Sequence, residues 1–122
     1  MRLILIILVA TLTISASDCN QKKEGTKLKG RLEIKGICSN YTISLLDGQI
    51  DTSMIAGKWT DETTGKEYSN VFALGNPCSF PKTLQQGDEF YFRIDTAKQE
   101  DCIVCMAYYP KPVRALNIRI EE

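Results

Sequence analysis

The sequence predicts a small all-β domain. Two observations carry this: apolar residues return at every second position in run after run, and Gly, Pro, Asn and Asp separate those runs. In LKGRLEIK, Leu28 to Lys35, apolar side chains alternate with charges, the pattern of a strand with one wet face. Residues 41–45, YTISL, repeat it and lead into Asp47-Gly48, a pair that favours a hairpin turn. Lys58-Trp59-Thr60 and residues 66–74 flank DETTG, in which Gly65 supplies a left-handed turn position. Gln86-Gly87-Asp88 launches residues 89–95, where Phe90, Phe92 and Ile94 share a face. Residues 103–109 are apolar on both faces and read as a central strand. Pro110 and Pro112 end that strand, and Leu116, Ile118 and Ile120 form a last alternating one.

Six or seven short strands imply a barrel or a sandwich. At this length the best match is an OB-like Greek-key β-barrel of five to seven strands, five of them forming the barrel and an additional hairpin attached to it. An immunoglobulin-like β-sandwich is the alternative. The chain divides into residues 1–18, a signal peptide; residues 19–27, a polar tether; and residues 28–122, one β domain.

Composition removes several function classes. The 122 residues contain 15 Lys+Arg against 15 Asp+Glu, without the basic excess of a general nucleic-acid binder. The chain has no histidine, so Ser–His and Cys–His nucleophile pairs and His-ligated zinc are excluded. No glycine-rich phosphate loop is present, and Asp47, Asp51, Asp61 and Glu62 beside the turns do not have the spacing of a calcium loop. No cofactor and no metal are expected.

Met1-Arg2 precedes LILIILVATLTI, residues 3–14, an apolar run of signal-peptide length and shorter than the ~20 residues of a membrane span. Small residues Ser15, Ala16 and Ser17 follow, then Asp18-Cys19. This stretch resembles the lipobox of bacterial lipoproteins, and NQKKE after the cysteine is similar to the Bacteroidota type. The resemblance implies cleavage before Cys19, a diacylglyceryl group on its sulfur and an outer-membrane anchor. Asp18 departs from the usual Gly, Ala or Ser, and ordinary secretion of a soluble chain is the competing reading. Cysteine parity favours lipidation. Five cysteines leave one thiol over in an exported protein, whereas lipidating Cys19 leaves four for two disulfides.

Those four are Cys38, Cys78, Cys102 and Cys105. Cys102-Ile103-Val104-Cys105 has thioredoxin-like spacing, but it lacks the helix N-terminus that activates such a thiol. On a strand, residues three apart point to opposite faces, so each cysteine is expected to pair separately with Cys38 or Cys78. Loop closure agrees: a 102–105 bond stabilises by about 2 kcal/mol, and the long crosslinks by roughly 3–5 kcal/mol each. A four-cysteine zinc site lacks the second close pair.

Two surfaces stand out as candidate ligand sites. Trp59, Tyr108 and Tyr109 are aromatics near turns, suited to stacking on sugars or anchoring a protein. Lys29 and Arg31, with Lys27 and Lys35, line the wet face of the first strand, interrupted by Glu33; this is either an anion strip or a solvated, aggregation-blocking face. Asn40-Tyr41-Thr42 matches an N-glycosylation acceptor, and Asp95-Thr96-Ala97 resembles a short Bacteroidota O-glycosylation motif. The expected function is a non-catalytic binding or interaction domain at the cell envelope, attached to the membrane through Cys19, with a protein or glycan ligand and no nucleic acid. The alternatives are a thiol-disulfide oxidoreductase using Cys102 and Cys105, or a hydrolase-inhibitor module.

Overall fold

A computed structural model describes residues 26–98, 102, 104, 105 and 107–121. The signal peptide, Cys19 and most of the tether lie outside the described residues, as do Ile103 and Met106. The fold is all-β. Its strands are β1 (Leu28–Lys35), β2 (Tyr41–Asp47), β3 (Ala56–Thr60), β4 (Glu67–Leu74), β5 (Glu89–Ile94), β6 (Ala115–Leu116) and β7 (Ile118–Glu121). Single 3-10 turns occupy Ile37–Ser39, Thr52–Met54 and Pro77–Ser79. No helix among the described residues is long and apolar enough to cross a membrane.

The strands form one sheet in the order β3-β4-β2-β1-β5-β7, with antiparallel neighbours throughout, while β6 pairs with β4 in parallel. This is not a continuously closed ladder. β6 and β7 are separated only by Asn117, however, so the chain leaving β7's pairing with β5 returns to β4. The result is one all-β sheet of the barrel-like or sandwich class, not closed into a barrel, with β3 as the outer strand of a hairpin. β4 makes this possible by dividing one edge. Its residues 67–71 pair with β3 and residues 73–74 with β6, while β2 takes residues 71–73 on the other side.

The core follows from the alternation. Leu28, Leu32, Ile43, Phe72, Phe90 and Phe92 all turn inward and are buried, together with Leu116 and Ile118. Phe90 and Phe92 lie two residues apart on β5 and meet Phe80 and Phe72 at centroid distances of 5.7 and 5.8 Å, in tilted or edge-on arrangements favoured by ring quadrupoles. Thr42, Ser44, Val71 and Ala73 belong to the same strands as Ile43 and Phe72 but alternate with them, and they too are buried. β2 and β4 are therefore covered on both faces.

The seam at Asn117 is fastened by a buried side chain. Ala73 N donates to Arg114 O, and Gly75 N to Leu116 O at 2.7 Å. Asn76, 5% exposed, then acts as an extra peptide group: its Nδ2 donates to Ile118 O at 2.7 Å and its Oδ1 accepts from Ile118 N at 2.9 Å. Its Nδ2 also reaches Ser79 Oγ at 2.8 Å.

Three sequence expectations are corrected. First, the described residues of the run 103–109 (104, 105 and 107–109) do not form the expected central strand. None of the described residues between Ile94 and Ala115 is in a strand, and Val104 and Tyr108 are exposed, while Ile103 and Met106 lie outside the described residues. Second, Asp47-Gly48 is a turn but not a hairpin, because the chain passes from β2 to β3 and β3 pairs only with β4. Gly48 is left-handed (φ 105°), which favours glycine, and passes close to Leu28, whose Cδ2 a Cβ there would meet at 2.5 Å and displace. Third, the last alternating strand is split at Asn117, its halves serving different neighbours.

Cys38 pairs with Cys105 and Cys78 with Cys102, at Cα–Cα distances of 5.2 and 5.8 Å. The separate pairing expected from sequence holds, although its stated reason, a strand, does not. Both bonds instead tie the irregular segment before β6 to two different loops. Spanning 67 and 24 residues, they restrict the unfolded chain by about 4 and about 3 kcal/mol respectively.

Replacing Asn76 by Ala leaves the N–H and C=O of Ile118 buried without partners. The expected loss is about 2–4 kcal/mol, read as a lower urea midpoint at unchanged slope.

Candidate functional site

The β3–β4 hairpin places the first wall of a groove. Its turn is organised by Asp61, which is buried: its N donates to Lys66 O, its carbonyl accepts from Gly65 N at 2.7 Å, and its carboxylate accepts from Thr63 N and Thr63 Oγ1 at 2.9 and 2.7 Å. Gly65 takes the left-handed conformation (φ 73°) expected of it. These bonds set the position of Glu62, the next residue. On the strands, Trp59 lies opposite Tyr68 and stacks on it at 5.8 Å with 28° between the planes. Lys66 Nζ sits 4.9 Å from the Tyr68 ring.

The second wall is the β1–β2 connection. Here Cys38 and Ser39 are consecutive left-handed residues (φ 57° and 60°), each unfavourable for a side-chain-bearing residue by about 1–2 kcal/mol. Gly36 N donates to Asn40 O, Asn40 N and Nδ2 donate to Ile37 O, and the Cys38–Cys105 bond clamps the loop from outside. Two residues past Cys105, Ala107 begins the third wall. Tyr109 lies so close to Gly36 that a Cβ there would stand 2.5 Å from the ring, so only glycine admits this packing.

Together the walls enclose an open groove of about 430 Å³, lined on one side by Trp59, Thr60 and Glu62 and on the other by Asn40, Tyr108, Tyr109 and Lys111. Its size lies within the usual range of ligand sites, ~300–1,000 Å³. Tyr108 is 81% exposed, yet its hydroxyl donates a hydrogen bond to Glu62 Oε1, which bridges two walls. That bond, made by the neutral phenol to a carboxylate, raises the Tyr108 pKa above its ordinary value. Burial, reinforced by Asp61 and Glu33, raises that of Tyr68. A second groove of about 500 Å³ lies alongside, sharing Asn40, Ala107 and Lys111 and including Cys38, Cys105 and Ala73.

The structure therefore brings Trp59, Tyr108 and Tyr109 together and does not bring Lys29 and Arg31 to them. Lys29 Nζ is 3.7 Å from Glu89 Oε1, and Arg31 lies 3.5 Å from Glu33 and 4.0 Å from Glu89. Lys27 and Lys29 both lie over the Tyr91 ring, at 4.6 and 5.8 Å. The basic strip is thus interleaved with carboxylates and an aromatic ring. Cys102 and Cys105, each bonded to a different partner, do not form a disulfide with each other. Among the described residues no cluster of acids and cysteines is arranged to hold a metal ion. Asn40, with Nδ2 on Ile37 O, and Thr42, 1% exposed with Oγ1 lacking a partner, hold the N-glycosylation tripeptide. Thr96 is exposed in a turn whose Asp95 accepts from Ala97 N.

Sequence reasoning did not place Thr60 or Lys111 at a ligand site, took Asn40 only as an N-glycosylation acceptor and took Glu62 only as a turn acid. Glu62 had a local signal, since it follows Trp59 by three residues within the hairpin turn. Asn40 had a weaker one, standing two residues after a cysteine whose partner lies in the Tyr108 segment.

No known protein family matches the chain, and comparison with curated proteins and with solved structures finds no match.

The hydrogen bonds from Thr63 hold the Asp61 carboxyl below its ordinary value, overcoming the opposing effect of burial. Because the folded pKa is the lower one, this stabilisation is present above about pH 4 and disappears as pH falls through the depressed value. Amide exchange at Thr63 and Gly65 is expected to accelerate on acidification below that point. Asp61→Asn, which still accepts the bonds but does not titrate, should lack the acid step.

Proposed function

We propose that this chain is a non-catalytic binding module of the bacterial cell envelope, held to a membrane by lipid on Cys19, with its ligand seated in the Trp59–Tyr108 groove. One observation carries the reading. Three aromatic side chains and four polar ones, from segments far apart in sequence, converge on one open groove whose walls are joined by a disulfide and by the Tyr108–Glu62 bond. Aromatic rings flanked by fixed polar groups suit recognition, and a rigid groove loses little freedom on binding. The fold alone assigns no function, so the weight rests on these side chains. Two disulfides fit an oxidising, exported setting. The anchor is supported by the near-lipobox and the odd cysteine count.

Trp59 is the only tryptophan, so its emission reports the groove directly. Titration of the mature chain with separated envelope polysaccharide and protein fractions should shift that emission saturably with one of them. The absence of a shift with both fractions would refute the groove as the binding site. Cys19→Ala should move the chain from the membrane pellet to the soluble fraction, since stable anchoring takes more than one acyl chain and the protein surface carries no charge excess to replace it. Wild-type chain found wholly soluble and beginning at Asp18 would rule the anchor out.

A further inference from the structure

We infer that the groove is built for a neutral saccharide, a conclusion that rests on the groove being the binding site. The side chains around it sort into two kinds. Trp59, Tyr108 and Tyr109 supply flat apolar plates, while Asn40, Thr60, Glu62 and Lys111 supply donors and acceptors at their margins. A pyranose has the matching chemistry: an apolar C–H face that packs on an aromatic plane, and a rim of hydroxyls that both donate and accept.

Charge narrows the class further. The lining carries one carboxylate, Glu62, and one ammonium, Lys111, and Glu62 is already engaged by the Tyr108 hydroxyl. The groove therefore has no excess charge with which to draw in a polyanion or a polycation. The cationic strip at Lys29 and Arg31 is elsewhere and paired with Glu33 and Glu89.

Fixation of the plates favours a stacking ligand. Tyr108 is 81% exposed, so its ring adds little to the core, yet its hydroxyl is tethered to Glu62 and the ring is held open to solvent. Trp59 is fixed from behind by its cross-strand stack on Tyr68. Tyr109 is held by its fit over Gly36. Among the described residues β3 pairs only with β4, so its outer edge borders the groove and offers backbone groups to an extended peptide. The lining itself, however, sets Trp59, Tyr108 and Tyr109 beside Glu62, Asn40 and Thr60, side-chain groups suited to a pyranose face and its hydroxyls.

The test uses the mature protein with both disulfides intact, screened by Trp59 emission against an array of neutral glycans (cello-, chito-, manno- and xylo-oligosaccharides), with hexagalacturonate as the acidic counterpart and the envelope protein fraction as the peptide arm. The expected result is saturable binding of at least one neutral glycan and binding of hexagalacturonate at least about tenfold weaker. Tyr108→Ala should weaken the neutral glycan about tenfold, the worth of one stacked aromatic, while Tyr108→Phe, which keeps the plate, should stay within about threefold. The exposure of Tyr108 lets both variants fold, and retained near-ultraviolet circular dichroism checks this. If no neutral glycan binds, or if binding ignores Tyr108→Ala, the saccharide assignment is overturned. Binding of the protein fraction alone, lost on Tyr108→Ala, overturns the saccharide while leaving the binding-module reading in place; no binding in any arm overturns both.

Discussion

The Cys38–Cys105 bond joins two pieces of chain that have no strand pairing to hold them together. On one side is a loop whose two left-handed residues, Cys38 and Ser39, are unfavourable on their own. On the other is the long connection between β5 and β6, none of whose described residues is in a strand, so that strand pairing does not fix Cys102 and Cys105 in place. The crosslink supplies that constraint and holds the loop in its strained shape. Asn40 and Ala107, each two residues from a bonded cysteine, then line the groove together, and the aromatic pair Tyr108-Tyr109 is brought to the hairpin tip. Cys78–Cys102 fixes the same segment a few residues earlier, so that its path is determined from two points.

Beneath these loops the sheet is stabilised in the ordinary way, by alternating apolar residues and a cluster of phenylalanines. Its weak place is the seam, where only two residues of β6 meet β4. Asn76 compensates by offering an amide with both a donor and an acceptor to Ile118, continuing the pairing where the backbone does not. A small exported domain has little apolar surface to spare, and it combines a buried polar clasp with covalent crosslinks to reach a stable state.

Most strands were legible in the sequence because period-two patterning is a local signal: β1, β2, β4 and β5 begin or end within a residue or two of the expected positions. The partners of those strands were less legible. Asp47-Gly48 announces a reversal, but whether β2 meets β3 or β4 depends on which edges remain open, a property of the assembled sheet. The 103–109 segment was misread because an apolar run carries no information about the crosslinks beside it: Cys102 and Cys105 are drawn to two separate loops, and the described residues Val104 and Tyr108 are exposed. Disulfide pairing came out as expected for a reason that survives this error, namely that closing long loops stabilises more than closing a short one. The aromatic members of the groove were visible as residues of unassigned burial. The polar members were not: Thr60 and Lys111 carry no signal of their own, and Asn40 stood out only as part of a glycosylation tripeptide, until the fold sets all three beside Trp59.

The division of the β4 edge has a mechanical consequence. Residues 71–74 are held between β2 and its neighbours, whereas residues 67–70 pair with β3 alone, so the hairpin is a cantilever rooted in the rest of the sheet. Asn70, left-handed at φ 53°, stands at the root. Trp59 and Glu62 ride near the free end and Tyr108 on the crosslinked side, so bending of this beam widens or narrows the groove while the core stays still. The Tyr108–Glu62 bond is the strut between beam and frame, a contact at the surface that does not involve the core below.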